Sequence, residues 1–222
     1  MSTLDDLTRA ARRAETGRAA DARAALDALP WLDASLADDR ASGRFARWGR
    51  STVVDENTGA AVITRALFDE LHERAGIDAA WPVGNAGLLH CYGYLLSLAE
   101  TRYGLKRDRW LDGSLAAQLG RVADAFHPWR DGPTLLARAS EAASALLFGP
   151  AASATATTVT AVIDGRETRA TLTAASGPAA LAYAVAPHPG AAPLLVTMFP
   201  VAEASAPLAE FTAVPRLRWN AA

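Results

Sequence analysis

Apolar residues near the start of the chain recur every three or four positions, a spacing typical of helices with one buried face. The first stripe consists of Leu4, Leu7, Ala11 and Ala14. Gly17 interrupts the stripe, and a second apolar pattern then runs to Pro30. We therefore expect two helices within residues 3–29, joined as a hairpin.

The next segments alternate between helical and extended patterns. Residues 33–50 favour a helix with a loose joint at Ser42-Gly43. Residues 53–63 place β-branched runs on both sides of a turn, a pattern typical of a small hairpin. Thr64 is a suitable N-cap for the helix that follows, and Gly76 is a suitable residue to end it.

The most apolar helical pattern covers residues 86–103, between Asn85 as the N-cap and Gly104 as the terminating residue. Gly87 and Gly93 lie inside it. Each costs about 1 kcal/mol relative to alanine, which indicates a close approach by another backbone or a ligand. A narrow polar row remains on the helical wheel and consists of His90, Tyr94, Ser97 and Thr101.

The pattern changes in the last third of the chain. Helices are expected at residues 114–119 and 134–148, the second capped by Thr134. Asp164-Gly165 then stands between two alternating runs, which is a strong signal for a β-hairpin. Two further apolar runs follow at short spacing, so all four strands should be antiparallel.

This order of elements predicts an α+β fold, with a mostly helical N-terminal part followed by a C-terminal four-stranded antiparallel meander. Four strands with an apolar face need helices to cover them, so we expect a single domain over residues 1–222. The alternative is a subdivision into a helical part, 1–149, and a sheet part, 150–222.

Composition narrows the class of protein. Half of the 222 residues are hydrophobic, which is enough for a substantial core. The net charge of −2 provides no broad basic surface, so we expect no nucleic-acid partner. No apolar run approaches the ~18 residues of a membrane span, and no signal for secretion is recognised. We therefore expect a cytoplasmic protein outside the membrane.

Metal and cofactor motifs are missing from the sequence. Cys91 is the only cysteine, so a disulfide within the chain and a cysteine-based zinc cluster are excluded. The glycines of residues 84–93 match neither the dinucleotide nor the P-loop pattern. The four histidines never stand four residues apart; they are His72, His90, His127 and His188. We expect no metal and no cofactor.

His90 and Tyr94 are the candidate catalytic residues. Imidazole titrates near neutral pH, so His90 would act as a general acid or base. Tyr94 would hydrogen-bond the imidazole or polarise a substrate oxygen, and Ser97 would orient the substrate. A satisfied core histidine is the alternative, because no carboxylate stands at a fixed spacing to orient His90.

A dense basic segment follows this helix. Its candidate substrate-binding residues are Tyr103, Lys106, Arg107 and Arg109. Guanidinium and ammonium groups bind carboxylates and phosphates, and Lys106 is the only lysine of the chain. A continuous helix would separate His90 from Tyr103 by about 20 Å, so the segment must fold back to reach His90. Solvated charges near a helix C-terminus are the alternative.

Two further clusters are candidates for anion binding. One contains the arginines at every third position, Arg44, Arg47 and Arg50, which would share one helix face. The other lies in a loop bounded by proline and glycine, where Asp131 would orient His127 and Arg130 would bind the substrate. A solvated charged face is the alternative for the arginine row.

These groups together predict a metal-free enzyme of the lyase or hydrolase type that acts on a small anionic, amino-acid-like metabolite. One alternative is a metal-independent, toxin-like ribonuclease, against which the acidic charge balance argues. The other is a non-catalytic binding or adaptor protein that uses the N-terminal hairpin or a sheet edge. The oligomeric state stays open, a homodimer included.

Overall fold

A computed structural model of the chain describes residues 4–101, 104–149 and 155–217. The helices are α1 (Leu4–Ala14), α2 (Ala19–Asp27), α3 (Leu32–Ala41), α4 (Arg65–Ala75), α5 (Ala86–Cys91), α6 (Asp108–Leu111), α7 (Ser114–Gln118), α8 (Leu135–Phe148) and α9 (Ser205–Ala213). The predicted hairpin is formed by α1 and α2, which pack against each other. Within the described residues, no helix has the length and apolar character needed to cross a membrane.

The strands form three antiparallel groups. Two are small pairs: β1 (Arg50–Thr52) with β2 (Val83–Asn85), and β3 (Glu100–Thr101) with β4 (Gly104–Leu105). The third is a sheet in the order β5 (Thr157–Ile163), β6 (Arg166–Leu172), β7 (Ala179–Val185) and β8 (Leu194–Val201). The fold is therefore α+β with a C-terminal antiparallel meander, as the sequence predicts.

The turn between β5 and β6 follows from its two central residues. Asp164 and Gly165 adopt φ angles of 51° and 75°. Positive φ at both positions is the type I′ geometry, which matches the twist of antiparallel strands. The register places Ile163 opposite Arg166, so the hairpin closes directly on this turn.

The inner strand β7 is buried on both faces of the sheet, whereas the edge strand β5 is partly exposed. Ala180, Ala182 and Met198 belong to a hydrophobic core shared with α1 to α8. On the opposite face, Tyr183 packs on Phe211 of α9 with 5.7 Å between ring centroids. Helix α9 is not among the helices predicted from the sequence, because its apolar periodicity is weak and a proline stands in its first turn. The assignment of residues 1–222 to one domain stays a prediction.

Side-chain caps fix three helix starts as predicted. Oγ1 of Thr64 accepts a hydrogen bond from the backbone N–H of Leu67 (3.3 Å), and Thr134 caps α8 in the same way. Oδ1 of Asn85 accepts from the N–H of Leu88 (3.0 Å). Each cap satisfies one N–H that has no partner inside its helix.

The helix expected over residues 86–103 is too long, because α5 ends at Cys91. A single 3₁₀ turn, Gly93–Leu96, and the β3–β4 hairpin follow it. Tertiary contacts explain the break, since the Tyr92 hydroxyl donates to Asp39 (2.5 Å) and the Tyr94 hydroxyl donates to the carbonyl of Thr52 (3.0 Å). The hairpin reverses the chain and brings the basic segment back to Tyr94.

The joint expected at Ser42-Gly43 is present, but the helix expected after it, up to residue 50, is wrong. Gly43 adopts a φ of 63°, which ends α3 and leads into a 3₁₀ turn, Arg44–Arg47. Arg50 lies in β1, so the three arginines of this region share no helix face. The hairpin expected over residues 53–63 is reduced to an isolated bridge between Val54 and Ala61.

Replacing Gly87 with alanine should lower the free energy of unfolding by about 1–3 kcal/mol. An added Cβ would lie 2.7 Å from Cγ of Trp48 and 2.9 Å from Cδ1 of Leu136, so these two buried side chains would have to shift. Urea denaturation measures the change.

Gly93 is the matched control. Its added Cβ would meet Ile63 and Leu71 at 3.5 and 3.6 Å, which are ordinary contacts. Gly93→Ala should therefore change stability by less than about 1 kcal/mol. Equal losses in the two variants would show that the close approach of Trp48 does not explain Gly87.

Candidate active site

A cavity of about 120 Å³ lies where β1, the end of α5, α6 and β8 meet. It collects polar side chains from segments far apart in the sequence. Its wall includes Ser51, His90, Tyr94, Lys106, Arg109 and Thr197. Four of these six were candidates from the sequence alone, and Ser51 and Thr197 were not.

His90 is buried at the end of α5, and its two ring nitrogens differ in their contacts. Nε2 lies 3.2 Å from Oγ of Ser51 in β1. Nδ1 is buried without a hydrogen-bond partner among the described residues. The Tyr94 ring stacks on the imidazole with 4.9 Å between centroids. His90 is thus held by packing and by one hydroxyl.

The imidazole of His90 is neutral at physiological pH. Burial lowers its pKa well below the usual value, and the positive charges of Arg109 and Lys106 lower it further. A neutral imidazole can accept a proton, so His90 is in the state that a general base requires.

Tyr94 stands beside both His90 and the cations. Burial raises its pKa to about 12, against the opposing effect of the Arg109 charge. The phenol therefore keeps its proton and donates it to the carbonyl of Thr52. The role of Tyr94 in polarising a substrate stays a prediction.

Lys106 closes one side of the cavity in an ion pair with Asp55 (Nζ to Oδ2, 2.8 Å). Oδ1 of Asp55 also accepts the backbone N–H groups of Asn57 and Thr58. Burial opposes ionisation of Asp55, but Lys106 and these N–H groups outweigh it and lower its pKa. The charge of Lys106 is therefore already balanced.

Arg109 is held differently. Its guanidinium lies 5.8 Å from the ring centroids of both Tyr94 and Phe199, and Nη1 donates to Oγ1 of Thr197 (3.3 Å). No carboxylate pairs with it in the part of the chain that the structure describes. Burial lowers its pKa, yet a guanidinium stays protonated in proteins. Arg109 thus brings to the cavity wall a guanidinium that has no direct ion-pair partner among the described residues.

Two other predicted residues near this segment, Ser97 and Arg107, lie outside the cavity wall. Ser97 is buried and donates to the carbonyl of Val62 (2.5 Å). Arg107 points to α1, where Nη1 donates to Oγ1 of Thr8 (3.2 Å). Tyr103 lies outside the described residues.

The two remaining clusters are separate from this cavity. Arg47 is exposed, and Arg50 borders a different groove. His127 Nε2 contacts the carbonyl of Leu111 (3.2 Å), and Arg130 pairs with Asp124.

The expected pairing of His127 with Asp131 is not found: no hydrogen bond joins them in the described ranges. The loop brings no base and orienter together. His127 is held by backbone and packing contacts, with the Trp129 ring 5.3 Å away.

Sequence reasoning missed Ser51, Asp55 and Thr197 because no local spacing relates them to His90. Ser51 lies in β1 and Thr197 in β8, two strands far apart in the sequence. One signal was present for Asp55, since an acid before Asn-Thr-Gly is typical of a turn that binds its own backbone.

Among residues 4–101, 104–149 and 155–217, no group of three or more His, Cys, Asp or Glu side chains is placed to hold a metal ion. The chain matches no protein-family model, no curated protein and no solved structure. The function must therefore be inferred from the cavity itself.

Proposed function

We propose that the protein is an enzyme of the lyase or hydrolase type that acts on a small anionic metabolite. His90 transfers the proton, and Arg109 binds the carboxylate or phosphate of the substrate. Lys106, held in place by its ion pair with Asp55, lies in the same wall.

The observation that carries this proposal is a neutral histidine in the wall of one cavity beside an arginine that makes no direct ion pair with a described residue. A guanidinium without a direct carboxylate partner keeps its donors available to an anionic ligand. Perturbed titratable groups in a cleft mark candidate functional sites. The cavity's volume favours a small molecule over an RNA chain.

An amino-acid-like substrate fits the remaining charges of the wall. Glu56, Asp108 and Asp112 also border the cavity. Their carboxylates provide partners for an ammonium group, while Arg109 provides one for a carboxylate. A zwitterion can therefore find both of its partners here.

Untargeted metabolite profiling tests the proposed function. Purified protein is incubated with a small-molecule cell extract, and mass spectrometry follows which compounds disappear. We expect wild-type protein to consume a carboxylated or phosphorylated compound that His90→Gln leaves intact. Extracts unchanged by wild-type protein, or consumed equally by both proteins, would contradict the proposal.

Replacing Arg109 with glutamine should weaken binding of inorganic phosphate or succinate at least tenfold, because the guanidinium that would pair with the anion is lost. Isothermal titration calorimetry at low salt measures the affinity. Arg107→Gln is the matched control, since Arg107 is two residues away and bonds to Thr8 instead. Equal weakening in both variants would indicate a general loss of surface charge.

A further inference from the structure

The contact between Ser51 and His90 bears on whether the proposed enzyme is a lyase or a hydrolase. Ser51 lies in the middle of β1, paired with Gly84 of β2, so its backbone is fixed by the strand. Its Oγ is 3.2 Å from Nε2 of His90, and both residues border the cavity. A hydroxyl within hydrogen-bond distance of a neutral imidazole is the arrangement that activates a serine nucleophile.

The low basicity of His90 limits its ability to take the proton of Ser51. Two cations repel a protonated imidazole, and in the described ranges no carboxylate accepts from Nδ1. An anionic substrate removes much of this penalty, because its negative charge offsets Lys106 and Arg109. His90 therefore becomes a stronger base when the substrate is bound.

We propose that Ser51 is the nucleophile of a hydrolase for small carboxylate-bearing esters or amides. This inference rests on the proposed function and selects hydrolysis over elimination. Arg109 binds the substrate carboxylate, and the Ser51–His90 pair attacks the ester or amide carbonyl.

The reaction proceeds in two balanced steps. Oγ of Ser51 bonds to the carbonyl carbon and its proton moves to Nε2 of His90; the bond to the leaving oxygen or nitrogen then breaks, and that atom takes the proton. Water next attacks the acyl-enzyme and gives a proton to His90. The Oγ–carbon bond breaks and Oγ regains the proton, which releases a carboxylic acid.

Diisopropyl fluorophosphate tests the nucleophile directly, because a serine activated by a base displaces fluoride and keeps the phosphoryl group. Peptide mass mapping of the labelled wild-type protein locates the modification without depending on any variant. We expect about one label per chain, located on Ser51. Ser51→Ala should lose the label, and Ser42→Ala, which alters an exposed serine, should keep it.

The outcomes separate this inference from the proposed function. If Ser51 stays unlabelled while wild-type protein still consumes an anionic compound in a His90-dependent way, the serine nucleophile is overturned and the proposed function stands. If neither labelling nor consumption occurs, both are overturned. A label on another serine also rejects Ser51.

Discussion

Replacing His90 with glutamine should lower the rate at which diisopropyl fluorophosphate labels Ser51 by about 10²–10⁴-fold, the usual contribution of a positioned general base. Glutamine has a similar length and can keep a hydrogen bond to the Ser51 hydroxyl, but it cannot take the proton. Mass spectrometry of the labelled fraction over time gives the rate. The melting temperature should stay within a few degrees of wild type.

The pH dependence of the labelling rate follows from the direction of the His90 shift. Its pKa lies well below the usual value, so the imidazole stays unprotonated across neutral pH. The rate should therefore hold steady near neutrality and fall only at pH values below the ordinary range of histidine. If the labelling rate fell, on lowering the pH, at or above the ordinary pKa range of histidine, the result would contradict a buried His90 beside two cations.

His127→Gln is the matched control for the labelling experiment. His127 lies outside the cavity and contacts the carbonyl of Leu111. Its replacement should leave the labelling rate within about twofold of wild type. A large loss in this variant would show that the rate reports general damage to the fold and not proton transfer by His90.

The sequence predicted the elements that depend on local signals. Thr64 and Thr134 cap their helices, and Asp164-Gly165 closes its hairpin, because each signal acts within a few residues. The antiparallel meander was predicted from the short connections between consecutive strands. Local chemistry was sufficient wherever the partner atoms were neighbours in the chain.

The failures lie where distant contacts override a local pattern. The apolar periodicity from residue 86 favours a long helix, but Tyr92 and Tyr94 bond to Asp39 and Thr52, more than forty positions away. Helix α5 ends at Cys91, and both tyrosine hydroxyls then form these hydrogen bonds. Tertiary structure routinely overrides helix propensity in this way.

The same break explains why the site was only half predicted. His90, Tyr94, Lys106 and Arg109 were named from the sequence, but the expected helix separated them. The β3–β4 hairpin brings them together, with Lys106 Nζ 5.3 Å from the Tyr94 ring centroid. Ser51 carried no sequence signal, because its relation to His90 exists only after β1 packs on α5.

Asp39 links the site-bearing helix to the rest of the core. Its buried carboxylate accepts hydrogen bonds from Tyr92 and Thr134, both at 2.5 Å, and from Arg44 at 3.1 Å. Burial raises the pKa of this carboxyl, so its desolvation outweighs the opposing effect of the three donors. The carboxylate is costly to bury, and its removal would leave three donors without their acceptor.

Replacing Asp39 with alanine should therefore lower the free energy of unfolding by about 3–5 kcal/mol, the usual result of removing one partner from a buried polar network. The free energy of unfolding should fall less in Asp39→Asn, because the amide oxygen still accepts a hydrogen bond from Tyr92 or Thr134. Asp38→Ala is the matched control: this exposed acid also pairs with Arg44, and its loss should cost less than about 1 kcal/mol. Urea denaturation of the three variants measures these changes. Similar losses for Asp38→Ala and Asp39→Ala would place the energy in the Arg44 ion pairs and not in the buried hydrogen bonds that hold Tyr92 and the end of α5.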